Sequence, residues 1–157
     1  MSHEMIPVPI RSKVIDAAGV LTRDLVRFLD TIRQWLSNTA QRAGSASGTA
    51  ESASIPATDV QTSPLSEGLY RASYSLRIVQ AATTSSSAAM TMSWVSNSVT
   101  CSESFPAVTG NTLSSQTSGS ILFSVDGGSQ VQYAVSYSSS GATPMQYSFD
   151  FIVEELL

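Results

Sequence analysis

The chain is nearly devoid of imidazole and thiol side chains. Its one histidine, His3, lies near the start, and its one cysteine is Cys101. A Ser-His-Asp or Cys-His centre needs an imidazole beside its nucleophile, and a multi-histidine metal site needs several. The region after residue 54 has no histidine at all, so composition excludes both there. A lone cysteine also excludes a disulfide framework and a cysteine-type zinc site. Cys101 is expected as a small buried apolar residue.

Charge is scarce as well. Charged residues make up 13% of the chain, about half the usual share. All eight Lys and Arg lie at or before Arg77. Six of them (Arg11, Lys13, Arg23, Arg27, Arg33, Arg42) share the first 42 residues with four acids (Glu4, Asp16, Asp24, Asp30), a net of +2. From Ile78 onward Glu103, Asp126, Asp150, Glu154 and Glu155 stand without any basic residue, for −5. Binding phosphate requires Lys or Arg to displace counterions, so nucleic acid is not an expected partner. No apolar run approaches the length of a membrane span, and Met1 to Ile10 lacks the layout of a secretory signal. Appearance outside a cell is then expected through lysis or within a particle.

The residues that are present divide the chain into four parts. Residues 1–12 form an extended arm, because the prolines of Ile6-Pro7-Val8-Pro9-Ile10 fix the backbone. Ile6, Val8 and Ile10 fall on one side, suited to docking along another protein's groove or sheet edge; a plain tail is the other reading. Residues 13–38 are expected as an amphipathic helix capped by Ser12. There Val14, Ala18, Leu21, Leu25, Phe28, Ile32 and Trp35 recur at steps of four and three, the seam of a coiled coil. Ile15, Val26, Leu29 and Leu36 broaden that seam. An apolar stripe of this size needs burial against copies of itself, against its own β-domain, or in a foreign groove. Residues 39–54, rich in Ser, Ala, Gly and Thr, read as a flexible tether.

From residue 55 to 157 the apolar period changes to two. Tyr70, Ala72, Tyr74, Leu76 and Ile78 alternate with Arg and Ser, followed by Met90, Met92 and Trp94, then Val99, Cys101, Glu103 and Phe105. Ile121, Phe123 and Val125, then Val131, Tyr133, Val135 and Tyr137, and finally Tyr147, Phe149, Phe151 and Val153 continue the pattern. Turn chemistries separate them, among them Thr83 to Ser87, Thr109-Gly110-Asn111, Ser139-Ser140-Gly141 and Asp126-Gly127-Gly128-Ser129, the last expected as a tight hairpin. Seven or eight short alternating strands predict an antiparallel sandwich or barrel, with the terminal strand paired inside a sheet.

The carboxylates Asp59, Glu67, Glu103, Asp126, Asp150, Glu154 and Glu155 are the remaining candidates for chemistry, in principle a glycoside-hydrolysing pair. No two are tied by spacing, and each has a turn, strand-end or solvent-facing role. No glycine loop for phosphate and no cofactor site is present in the sequence. Tyr70, Tyr74, Tyr133, Tyr137 and Tyr147 suit core or interface packing better than sugar stacking. No catalytic, cofactor or metal residue is therefore expected, and the chain reads as non-enzymatic.

Gly68-Leu69-Tyr70-Arg71-Ala72-Ser73-Tyr74 opening a strand, then Thr109-Gly110-Asn111, then the closing Tyr147-Ser148-Phe149-Asp150-Phe151, resembles small bacteriophage virion proteins. More distantly, it is similar to the trimeric jelly rolls of the complement C1q and tumour-necrosis-factor group. The resemblance covers residues 55–157 and leaves out the helix and tether. It implies a mainly β, jelly-roll-like sandwich, a homotrimer, and a place on the virion surface as a head fibre, decoration or short tail or neck appendage. Another virion protein would then hold residues 1–38. The alternative is a receptor- or glycan-binding module of a phage fibre, with a host surface glycan or protein as its partner.

Overall fold

A computed structural model describes residues 23–37 and 40–156, which form two separate units, a helix and a β-domain spanning Ala40–Leu156. The helix α1 runs Arg23–Ser37. Val26, Leu29 and Ile32 are exposed along it, and Leu25 and Phe28 are half-buried. Trp35 lies within α1. The other expected seam positions, Val14, Ala18 and Leu21, and the arm residues Ile6, Val8 and Ile10, lie outside the described residues.

The β-domain has nine strands: β1 (Gln41–Glu51), β2 (Ile55–Asp59), β3 (Gly68–Gln80), β4 (Ser86–Ser96), β5 (Val99–Ser104), β6 (Val108–Thr109), β7 (Gln116–Val125), β8 (Gln132–Ser139) and β9 (Gln146–Leu156). One sheet has the order β1-β9-β3-β7, the other β2-β8-β4-β5 with the two-residue β6 beside β4. All pairings are antiparallel. Leaving out β6, the first strand pairs with the last, the second with the next to last, and so on inward to β4 with β5. That nesting is a long hairpin wound into two sheets, which is a jelly roll. The described residues are thus a mainly β, jelly-roll sandwich and one short helix.

The alternation read from the sequence generates the core. Tyr70, Ala72, Leu76 and Ile78 of β3 point inward, as do Tyr147, Phe149, Phe151 and Val153 of β9. They meet Ala88, Met90 and Met92 of β4 and Tyr133 and Val135 of β8 from the other sheet. The Tyr133 ring lies 5.4 Å from that of Phe149 and 6.0 Å from that of Phe151, bridging the layers. Phe123 of β7 packs against Trp94 at 5.2 Å and Tyr70 at 6.0 Å. The tyrosine stripe is core rather than a sugar platform. Its buried hydroxyls are satisfied by backbone carbonyls: Tyr70 donates to Ser66 O, Tyr137 to Met145 O and Tyr147 to Ala53 O at 2.7 Å.

Three sequence expectations are corrected. Most of the stretch read as a tether, residues 39–54, is strand: β1 lies at the sheet edge and pairs along its length with β9. Its small residues serve close approach rather than flexibility. A Cβ at Gly48 would come within 2.5 Å of the Phe149 ring, and one at Gly44 within 3.0 Å of the Val60 carbonyl. Ala43 and Ala46 pack on the core. Register shifts between Arg42 and Gly44 and between Gly48 and Glu51 bend this edge, with Ala50 at a φ of 58° in the second. The sandwich therefore begins at residue 41, not 55.

Asp126-Gly127-Gly128-Ser129 is a tight turn, but not a hairpin. Ser129 N donates to Asp126 O at 3.2 Å, and Gly128 takes a φ of 84°. The strands on either side, β7 and β8, belong to different sheets. The Asp126 carboxylate accepts bonds from Asn97 N at 2.8 Å and Ser98 N at 2.6 Å. Asn97 and Ser98 form the β4–β5 hairpin turn, both with positive φ (52° and 61°), the backbone of a type I′ turn without glycine. Asp126 thus ties an inter-sheet crossing to a strained hairpin. Cys101, expected to be buried, is half-buried on β5. That strand is an edge, so its inward side is only partly covered.

Replacing Gly48 with valine is expected to destabilise the β-domain by about 1–3 kcal/mol, through overpacking on Phe149. An unchanged denaturant midpoint for Gly48→Val would restore the tether reading. A second expectation concerns alkali. Burial, followed by the negative charge of Glu51, pushes the Tyr147 hydroxyl up from 10 to about 12. The folded-state value is the raised one, so this contribution is complete below pH 10 and is lost as pH rises towards about 12. Denaturation curves across that window should show a falling midpoint, with a smaller fall in Tyr147→Phe; equal falls would show that Tyr147 is not a source.

Candidate functional site

The antiparallel register gives the sandwich two unlike poles. At one, β1 begins and β9 ends, since Gln41 pairs with Glu155 and Leu69 with Leu156. The chain enters the β-domain here. On the outer face of the four-stranded sheet near this pole, Leu122 is 66% exposed and Leu69 48%. Leu69 faces Ser124 across the β3–β7 ladder, which makes Leu122 its diagonal neighbour on the same face. Leu156 lies directly opposite Leu69 on the other side. Arg71 sits between Leu122 and Glu154 in the next row. Its Nη2 and Nε donate to one Glu154 oxygen at 2.6 and 3.0 Å. This pair is half-exposed, so it contributes little stability.

The opposite pole collects the β3–β4, β6–β7 and β8–β9 connections, where Gln80 meets Gln146 and Ser86 meets Ser139. It is built of hydroxyls. Thr84 Oγ1 donates to the Ser140 carbonyl and lies 2.9 Å from Ser140 Oγ, which bonds to Ser85 O at 3.0 Å. Asn111 reaches the Thr84 carbonyl, and Ser139 Oγ accepts from Met145 N at 2.9 Å. Gln80 Nε2 donates to Pro144 O at 2.8 Å. Three loops are thereby cross-linked by polar side chains above the core residues Ala82, Val108 and Met145. Gly141, with a φ of 102°, lies against Thr83 and Thr84 and turns the β8–β9 loop into this network. Thr83, Thr84, Ser85, Asn111, Thr112 and Thr143 remain exposed around a projecting Leu113. Such a surface offers neutral donors and acceptors. It holds no base that could activate one of its hydroxyls.

The carboxylates singled out in the sequence are dispersed by the fold. Asp126 holds a turn and Glu154 holds Arg71. Asp150 is exposed on the outer face, with Ser75 Oγ at 3.5 Å. The charge of Glu155, after burial itself, helps to raise the Tyr70 hydroxyl, which places it on the inward side of β9. Asp59 at the end of β2 takes the amides of two glutamines. Among the described residues no three of His, Cys, Asp and Glu gather in a way that could hold a metal ion. No helix among them is long and apolar enough to cross a membrane. The loop turns at Thr83–Ser87, Thr109–Asn111 and Ser139–Gly141 were visible in the sequence as turns. Their convergence at one pole was not, because it depends on which strands pair.

No protein-family model and no curated protein sequence matches the chain. Among solved structures it is similar to the structure of Eiger TNF from S. frugiperda, at 12% identity, over 75% of this chain and 90% of that chain, with a TM-score of 0.34. The jelly-roll architecture itself stands on the strand order and register.

Proposed function

We propose that the protein is a non-enzymatic structural component of a bacteriophage particle, held by its N-terminal segment and displaying the β-sandwich at the virion surface. The supporting observation is the polarity of the β-domain. The pole where the chain enters carries the exposed Leu69 and Leu122 side by side, while the far pole carries cross-linked, uncharged hydroxyl loops around the single exposed Leu113. Apolar surface of that kind is a place for assembly, and a rigid polar pole is a place for exposure. The same leucines support self-association of the β-domain as a homotrimer, the state implied by the resemblance to trimeric jelly rolls; the apolar stripe of α1 supports self-association of the helix separately. A second reading, a receptor- or glycan-binding module, draws on the loop pole, whose exposed Thr, Ser and Asn groups are already fixed in place.

Deleting residues 1–38 should abolish incorporation into particles while the β-domain still folds. Particles carrying normal amounts of the truncated chain would sink the anchoring proposal. For self-association, Leu122→Glu in the full chain should lower the solution mass from trimer to monomer, read by light scattering. A monomeric parent, or a variant of unchanged mass, would remove this face from the assembly.

A further inference from the structure

The outer face of the five-stranded sheet carries a shallow depression of about 240 Å³, lined by Ser93, Val95, Thr100, Gln130 and Gln132 and by part of Trp94. We infer that this depression is a binding site for a neutral, hydroxyl-rich ligand of the size of one sugar ring. It lies on the flank of the sandwich, apart from both the hydroxyl loops and the exposed leucines, and its test in solution is independent of any role in a particle.

The geometry rests on a single carboxylate. Gln132 Nε2 donates to Asp59 Oδ1 at 2.8 Å. The Gln130 amide, turned with its nitrogen towards Asp59, donates to Oδ2 at 2.7 Å. Each glutamine nitrogen therefore has a charged acceptor, and each side chain is held with its amide plane fixed at the nitrogen end. Fixing two long side chains before a ligand arrives lowers the entropy cost of binding. The sheet supplies the rest of the lattice. Gln132 is opposite Ser93 on β4, and Val95 is opposite Thr100 on β5. These positions form two rows spaced roughly 5 Å across strands and 7 Å along them. Hydroxyls from Ser93 and Thr100 can donate or accept, and Val95 gives an apolar floor for C–H groups.

Charge selects the ligand class. Within the β-domain the basic residues are Arg42, Arg71 and Arg77, all on the other sheet, so no cation of the β-domain faces an anionic ligand here. The one carboxylate already takes two amide donors, so it does not call for a cation. What remains is a set of fixed neutral acceptors and rotatable hydroxyls beside a small apolar patch, which complements a polyol ring.

The test uses the uniformly ¹⁵N-labelled full chain titrated with methyl glycosides of glucose, galactose and mannose, beside inorganic phosphate and N-methylacetamide. At least one glycoside should shift the amide signals of Ser93, Thr100, Gln130 and Gln132 saturably in the millimolar range, and phosphate should not. Gln132→Met, close in shape but without the carbonyl acceptor, should weaken that binding at least tenfold while leaving the denaturant midpoint near that of the parent. Asp59→Asn, which loosens the clamp but keeps both glutamines, should weaken it less. The inference fails if no glycoside gives saturable shifts at these residues, if shifts appear only in the 83–85 and 110–115 loops, if Gln132→Met binds as the parent does, or if N-methylacetamide binds there in preference to the sugars.

Discussion

Burial of the last strand is the constraint on which the β-domain depends. β9 is the sole ladder partner of β1 and the shared partner that joins β1 to β3. Its inward residues Tyr147, Phe149, Phe151 and Val153 are almost wholly excluded from water. The sandwich can close only after the two ends of the described β-domain, 114 residues apart in the register of Gln41 with Glu155, have met. Contacts of such long range are slow to form, because loop closure precedes the reward of burial. The aromatic set on β9 offsets that entropy with large apolar area in one place. The edge strand β1 is shaped in part by having to lie over those rings, as at Gly48 against Phe149.

The same constraint explains what the sequence made legible. β3, β4, β7, β8 and β9 announce themselves because each buries alternate large residues, and alternation is a local signal. So the sandwich and the interior place of the terminal strand could be read directly. β1 could not. Gln41 to Glu51 has no large apolar residue, and its strand state comes from backbone pairing with β9 and from close approach at Gly48 to the Phe149 ring and at Gly44 to the Val60 carbonyl. Without knowing the partner, a run of Ser, Ala and Gly is indistinguishable from a linker. The Asp126 turn failed in a related way. Asp-Gly-Gly-Ser specifies a tight reversal, and it makes one, but turn chemistry does not say whether the strands it joins pair with each other. The second duty of Asp126, holding the Asn97–Ser98 turn, connects positions 28 and 29 residues apart, and no short motif encodes it.

The candidate surfaces were legible only as ingredients. Serine, threonine and turn-forming glycine at residues 83–87, 109–111 and 139–141 were plain, whereas their union at one pole depends on the winding of the hairpin. Leu69 and Leu122 break the polar half of their strands' alternation, a signal of outward apolar surface that could have been found by asking which alternations are imperfect. Gln130 and Gln132 carry no such mark. A glutamine pair becomes noteworthy only when the β2–β8 register brings Asp59 opposite Gln132.

The scarcity of charge ties these features together. With few ions available, this β-domain fixes its exposed polar groups by short neutral hydrogen bonds and uses its carboxylates singly, each with a defined set of donors: Asp126 with two turn amides, Glu154 with Arg71, Asp59 with two glutamines. A carboxylate used in this way is an organiser. It orders neighbours that would otherwise lose side-chain or turn entropy on engaging a partner. A surface organised by isolated carboxylates and saturated with hydroxyls discriminates through hydrogen-bond geometry rather than through charge. Its associations should therefore be weak site by site and insensitive to salt. Useful strength would then have to come from repetition of the domain, which is what attachment of several copies at one end would provide.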